Sequence, residues 1–318
     1  MDKALITGVT GFTGSHLAEY LLKKGIEVHG TIRWRSKTDN IQDIRDQINL
    51  VEADMRDAHS MRSVINDVAP DVIFHLAAQS FVPASWRSPA DTLEINAIGT
   101  VNLFEAVKDS SCEPVIQIAG SSEEYGLVYP EELPISEKNP LRPLSPYGVS
   151  KVATDLLGFQ YFKNFGLKII RTRAFNHSGP RRGEVFVDSN FAKQLVEIEK
   201  GLKKPILRVG DLSSQRDFTD VRDIVKAYYL AIMKCVPGEV YNICSETSRT
   251  IQEVLDTLIE LTESSGVKVE ADPKRFRPTD VAVLRGDCSK FKKQTGWKPE
   301  IPFRKTMEDT LDYWRKQV

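Results

Sequence analysis

Short β-branched runs alternate with amphipathic stretches through the first half of the chain. Residues 3–7 centre on Ala4-Leu5-Ile6 and predict a buried strand, while residues 15–24 set Leu17, Tyr20 and Leu21 on one helical face. Further strands are predicted over 27–31, 48–51, 72–76, 115–118 and 168–171, with helices over 58–68 and 92–108. An α/β chain alternating at this spacing predicts a doubly wound parallel sheet covered on both faces. The second half is less regular. Helices are predicted over 191–200, 221–233, 251–263 and 306–316, and strands over 206–209 and 240–243, with proline-containing loops between them. No Ser/Gly-rich linker or internal repeat divides the chain. Two closely packed lobes are expected: residues 1–172, with later contributions from about 214–245, and residues 173–213 with 246–318.

Composition narrows the classes of partner. The 318 residues carry 43 Lys plus Arg against 44 Asp plus Glu, a net charge of −1, so no basic field favours nucleic acid or a membrane surface. No apolar run approaches the ~20 residues that span a bilayer. The N-terminus enters a strand directly, without the features of a secretory leader. Cys112, Cys235, Cys244 and Cys288 are scattered without CxxC spacing and the five histidines are dispersed. Free thiols in the cytoplasm and no metal site are therefore expected.

Candidate chemistry begins where the first strand ends. Gly8, Gly11 and Gly14, with Phe12 and Thr13 between them, follow a strand and open a helix, which predicts a turn on which a dinucleotide pyrophosphate rests. An NAD-binding fold usually carries a carboxylate after the second strand. Here Arg33, Arg35 and Ser36 occupy that place, with no acid before Asp39, and a fork of donors of this kind suits the 2′-phosphate of NADP. Asp54 and Met55 fall where an adenine would be gripped. Leu76, Ala77, Ala78, Gln79 and Ser80 end a strand with mostly small residues that let a cofactor lie close. Further on, Tyr147 and Lys151 form a YxxxK pair, one turn apart on a helix. A nearby ammonium favours the phenolate, so Tyr147 is a candidate for exchanging a proton with a sugar hydroxyl.

Together with the strand end at 120–126, Gly-Ser-Ser-Glu-Glu-Tyr-Gly, these motifs resemble the extended short-chain dehydrogenase/reductase family over essentially the whole chain. Within it the chain is most similar to the GDP-mannose 4,6-dehydratases and to the GDP-4-keto-6-deoxymannose reductases. The resemblance implies a Rossmann domain for the cofactor and a smaller C-terminal lobe for a nucleotide sugar. It implies that Ser121 hydrogen-bonds the sugar O4, Tyr147 transfers the proton, and Lys151 orients the nicotinamide ribose and lowers the tyrosine pKa. Glu123 then falls on the carboxylate that takes the C5 proton in dehydratases. Cofactor contacts extend to His177 and Arg182. Sugar-nucleotide contacts are implied at Ser80, Ser121, Glu123, Asn176, Val185, Lys193, Arg216, Arg277 and Asp280. The segment 33–40 resembles a loop that crosses to a neighbouring subunit, which implies a homodimer or homotetramer. The loop at 176–187 resembles the dehydratases, whereas Ser-Ser-Glu-Glu-Tyr-Gly and the segments 216–220 and 295–299 are more similar to the reductases. A 4,6-dehydratase is the first expectation and a 4-keto reductase the alternative. An epimerase and a non-catalytic NADP-binding sensor remain as rivals.

Overall fold

Alternate positions of the first strand feed two different cores. The computed structural model describes residues 1–263, 266–275 and 281–318. Its main sheet contains β1 (Lys3–Thr7), β2 (Glu27–Ile32), β3 (Asn49–Glu52), β4 (Val72–His75), β5 (Val115–Ser121), β6 (Ile169–Ala174) and β10 (Val240–Ile243), in the order β10-β6-β5-β4-β1-β2-β3. Every pairing is parallel. Ala4 and Ile6 of β1 join one core and Leu5 the other; Val72 and Phe74 of β4 likewise oppose Ile73. Burial on both faces explains why these strands read as continuous apolar runs.

Helices cover both faces. α1 (Phe12–Leu22) packs against α8 (Val221–Lys234) on one side. On the other lie α2 (Ala58–Val68), α5 (Gly99–Lys108) and the long α6 (Pro146–Phe165). Two short helices, α3 (Val82–Arg87) and α4 (Pro89–Leu93), precede α5. A third core belongs to the smaller lobe, where α7 (Val187–Glu199), α9 (Ile251–Leu261) and α11 (Phe303–Gln317) enclose Phe191, Leu195, Leu255 and Leu311. Around it run β8 (Ile206–Val209) paired with β12 (Lys268–Ala271), and β9 (Gln215–Asp220) between β11 (Ser248–Thr250) and β13 (Val283–Leu284). β7 (Asn176–Ser178) also pairs with β9, and α10 (Ser289–Thr295) closes the far edge beside β10.

Two expectations require correction. The helix predicted over 92–108 is interrupted by a π-helical turn at Glu94–Ile98. Asn96 lies in that turn, where its carbonyl accepts the hydroxyls of Thr100 (2.6 Å) and Thr154 (3.1 Å). Such turns concentrate at functional sites. The polar segment that follows β2 is not loop throughout, because Asp39–Gln47 winds into a 3₁₀ helix that buries Ile41 and Ile44. Among the described residues no helix is long and apolar enough to cross a membrane.

Candidate active site

The glycine turn is shaped by how closely two strand ends approach. Gly8 has a φ of +74°, and a Cβ there would lie 3.0 Å from the Ala77 Cα, so a side chain is excluded on both counts. Its N–H donates to Thr31 Oγ1 at 3.1 Å, and the Gly11 N–H donates to the Gly8 carbonyl at 3.0 Å. Gly11 caps α1 without any side-chain hydrogen bond, which leaves first-turn N–H groups for an anion.

Behind this turn a buried relay fixes the segment 76–81. The hydroxyl of Thr7 accepts the N–H groups of Leu76 and Ala77, both at 3.1 Å. It can then serve His75 Nδ1, 2.9 Å away, only by donating. His75 Nε2 therefore carries the proton and donates to Thr100 Oγ1 at 2.9 Å. Burial, with the charge of Lys151 adding to it, lowers the His75 pKa to about 3. Asn96 completes the frame. Its Oδ1 accepts the Gln79 N–H at 2.8 Å, and its Nδ2 donates to the Gln79 carbonyl (3.0 Å) and to Ser150 Oγ (2.8 Å). Ser150 Oγ in turn donates to the Tyr147 carbonyl at 2.7 Å, so the loop after β4 and the start of α6 share one bracket. Leu76, Ala77, Ala78 and Gln79 are half-buried and Ser80 is exposed.

After β2, Arg33 and Arg35 are exposed and half-buried Ser36 accepts the Arg33 N–H at 3.0 Å. Arg35 has a φ of 62°, and Trp34 between the arginines is 73% exposed. Asp54 is held below the usual carboxylate range, mainly by its hydrogen bonds from Arg56 (2.7 and 3.1 Å). Met55 is buried beneath α5, with its carbonyl accepting from Asn102 at 2.8 Å.

Ser121 ends β5, and Glu123 lies in the 3₁₀ turn Ser122–Glu124 that follows. The first turn of α6 brings up Tyr147. Ser145 caps that helix, with its Oγ accepting the Gly148 N–H at 3.0 Å, and Pro146 supplies a fixed φ. Gly148 is needed because a Cβ there would lie 2.7 Å from the Glu123 carbonyl oxygen, so the helix start packs directly on the Glu123 turn. Lys151, one turn on, is buried and donates to the Ala119 carbonyl at 2.8 Å. Burial pushes the Lys151 pKa down to about 8, against the charge of Glu124. The expected depression of Tyr147 is not what its surroundings give. Burial pushes its phenol above the ordinary value, helped by Glu123 and Glu124, while the Ser121 hydroxyl and Arg182 pull it down. Lys151 Nζ lies 6.0 Å from the Tyr147 ring centroid.

The loop after β6 folds back onto α1. His177 Nδ1 must donate to the Phe175 carbonyl (3.1 Å), so its Nε2 accepts from Thr13 Oγ1 (3.0 Å), and the ring stacks 5.8 Å from Phe12. His16 donates to the Pro180 carbonyl at 2.9 Å, and Arg181 pairs with Glu19. Arg182 is buried between the rings of Phe12 and Phe186, with its Nε 3.0 Å from Asp188. Asn176 is half-buried on β7 and Val185 is 51% exposed. Lys193 pairs with Glu184 at the edge of a cavity of about 270 Å³ that Arg208 and Arg275 also line. Arg216 is buried, its Nη1 donating to the carbonyls of Gln215 (2.8 Å) and Val281 (2.7 Å). Arg277 and Asp280 lie outside the described residues.

Several residues that build the site were not anticipated. Asn96, Asp155 and Arg173 act through partners distant in sequence and left no local signal. Glu124 did leave one, because Ser121-x-x-Glu124 is a capping-box spacing and the box forms.

A parallel sheet with a glycine turn at its first crossover, and a Ser–Tyr–Lys group across the cleft, is the arrangement of the extended short-chain dehydrogenase/reductases. RMD from Pseudomonas aeruginosa in complex with NADPH superimposes with a TM-score of 0.84 at 30% identity, covering 100% of both chains. UDP-glucose 4-epimerase from Thermotoga maritima superimposes with a TM-score of 0.88 at 28% identity, covering 99% of each. The chain belongs to the GDP-mannose 4,6 dehydratase family, whose model matches residues 5–310. It is 37% identical to GDP-mannose 4,6 dehydratase 1 of Arabidopsis thaliana over 97% of this chain and 88% of that one. It is 32% identical to GDP-6-deoxy-D-mannose reductase of Pseudomonas aeruginosa over 100% of this chain and 98% of that one.

The buried histidines predict a pH dependence. Burial is the leading cause that lowers His16 and His177 to about 4 and His75 to about 3. Unfolding frees them to bind protons at their ordinary values, so the unfolded state binds more protons below about pH 6.5 and stability falls as the pH drops. Ring-proton NMR should show no titration of the three above pH 5, while urea midpoints decline from pH 7 to pH 5. A midpoint titration near pH 6.5 in any of them would contradict its placement.

Proposed function

We infer that this chain is an NADP-dependent GDP-mannose 4,6-dehydratase, converting GDP-mannose to GDP-4-keto-6-deoxymannose. The observation that carries the reading is the packing of the Glu123 turn against the helix start bearing Tyr147, which brings a carboxylate, a phenol and the Ser121 hydroxyl to one cleft. The uncapped first turn of α1, the close Gly8–Ala77 approach and the exposed guanidinium groups of Arg33 and Arg35 suit a phosphorylated dinucleotide. When bound, NADP supplies a hydride acceptor for sugar C4 and a hydride donor for C6. Lys151 would orient the nicotinamide ribose. Ser121 would hydrogen-bond O4, and Tyr147 would take its proton as the phenolate, a form that the Lys151 ammonium and the bound oxidised nicotinamide would favour against burial. Oxidation at C4 would acidify the C5 proton, which Glu123 would remove and hand to the departing C6 hydroxyl, so that it leaves as water. Tyr147 would then return the O4 proton to C5 as the hydride is restored to C6.

Lys193, Arg208 and Arg275 around their shared cavity, with Asn176, Val185, Arg216, Arg277 and Asp280, are assigned to the nucleotide end of the substrate. The lobe of residues 1–172 is assigned to the cofactor. Four unpaired thiols support a reducing, cytoplasmic setting. Val149, Leu156 and Phe159, all more than 40% exposed, lie along α6 at helical spacing and support a homo-oligomer. The second reading, a 4-keto reductase, is favoured by the near-complete coverage of the Pseudomonas reductase.

Glu123→Gln distinguishes the two. It keeps size and removes the base, so a dehydratase should lose about 10²–10⁴ in kcat. A reductase, which needs only hydride and a proton from tyrosine, should change little. Product formation followed by NMR reads this directly, and an unaffected turnover of GDP-mannose would remove Glu123 from the chemistry. For the cofactor, replacing Arg33 and Arg35 by alanine should weaken NADP⁺ binding far more than NAD⁺ binding by calorimetry; equal wild-type affinities would refute the phosphate assignment. Light scattering at micromolar concentration should return a dimer or tetramer rather than a monomer.

A further inference from the structure

The turn that carries Ser121 and Glu123 is held from beneath by a carboxylate that the proposed chemistry does not use. Glu124 is fully buried. Its Oε1 accepts the Ser121 N–H at 2.7 Å, and Ser121 Oγ in turn accepts the Glu123 N–H at 3.2 Å. Its Oε2 lies 3.0 Å from Arg173 Nε. The same nitrogen donates to Asp155 Oδ2 at 3.0 Å, one helical turn beyond Lys151, and Asp155 also pairs with Arg171. Arg173 Nη1 donates to the Tyr125 hydroxyl (3.1 Å), which donates to Asn242 Oδ1 (2.6 Å). Two carboxylates and two guanidinium groups are thus sealed below the cleft, drawn from the Glu123 turn, β6 and α6. The sequence makes room for this. A Cβ at Gly120 would lie 2.6 Å from Glu124 Oε1 and 2.7 Å from the Thr172 carbonyl oxygen.

An apolar side chain would fill such a space at lower desolvation cost, so stability alone does not account for a buried acid here. Glu124 Oε1 accepts the Ser121 N–H, while Oε2 lies beside the Arg173 guanidinium, whose Nε proton goes to Asp155. We propose that Glu124 is a positioning residue: buried beside Arg173 and bonded to the Ser121 N–H, its carboxyl group fixes the turn so that Ser121 Oγ and the Glu123 carboxylate keep their places beside Tyr147. Glu124 touches neither sugar nor cofactor. The proposal rests on the reading of Ser121 and Glu123 as substrate-facing groups.

The test uses the full chain with GDP-mannose and NADP⁺. Glu124→Asp keeps the acid beside Arg173 but is one methylene too short to hold the Ser121 N–H as well. Glu124→Gln keeps the size and the acceptor but turns a donor toward Arg173. The aspartate variant should lose on the order of tenfold to a hundredfold in kcat, since displacing reacting groups by about 1 Å costs up to about 10²-fold. The glutamine variant, which preserves shape should the shorter side chain fail to fold, should lose at least about threefold. In both, KM for the sugar nucleotide should stay within about threefold, because the lost interaction serves the chemical step and not ground-state binding. Wild-type kcat in the variants, or a loss confined to melting temperature with kcat per folded site unchanged, overturns the proposal. Ser121→Ala and Glu123→Gln run alongside. If those two leave turnover intact, the site reading has failed; if they abolish it while the Glu124 variants do not, only the positioning role has failed.

Discussion

The hydroxyl of Thr7 sits where the ends of β1 and β4 meet, and it is used to capacity: two N–H groups donate to it and its own proton goes to His75. From there the chain of hydrogen bonds runs through Thr100 and Asn96 to Ser150 and the carbonyl of Tyr147. The glycine turn, the loop at 76–81 and the start of α6 are thereby referenced to one buried path. Leaving any one of these groups unpaired would cost about 1–3 kcal/mol, which locks the neutral tautomer of His75 and the π-helical turn at Asn96 together.

Charge is handled in the same way on the opposite side of the cleft. Glu124, Arg173, Asp155 and Arg171 are buried and lie together as ion pairs, whereas Lys305 with Glu308 and Arg304 with Glu260 are solvent-facing pairs of the kind worth ~0–1 kcal/mol each. The site's rigidity therefore comes from groups that never reach the solvent. The loop from Asn176 to Phe186 is fastened by different means. Stacking of His177 on Phe12 and the hydrogen bonds of Thr13 and His16 tie it to α1, so the start of that helix and this loop are one packed unit.

What could be read from the sequence was what depends on neighbours in sequence. The helix at 58–68 and the strands at 206–209 and 240–243 have the boundaries their periodicity predicts. The glycine turn and the YxxxK pair stand on the predicted strand end and helix. What was hidden depends on partners far along the chain. The Thr7–His75 contact spans 68 residues, Asn96–Ser150 spans 54, and Arg173–Asp155 spans 18 across a helix and a strand. No local spacing announces such pairs. For the same reason the helix at 92–108 reads as continuous, and the depressed Tyr147 pKa expected from Lys151 ignores the burial that outweighs it.

The central claim is that one cleft oxidises C4, eliminates water across C5 and C6, and returns the same hydride to C6. GDP-mannose bearing deuterium at C4, incubated with catalytic NADP⁺, measures this most directly. The account predicts GDP-4-keto-6-deoxymannose with the label at C6 and no net formation of NADPH. Untouched GDP-mannose, together with stoichiometric NADPH oxidation on addition of GDP-4-keto-6-deoxymannose, would contradict it and establish the reductase reading instead.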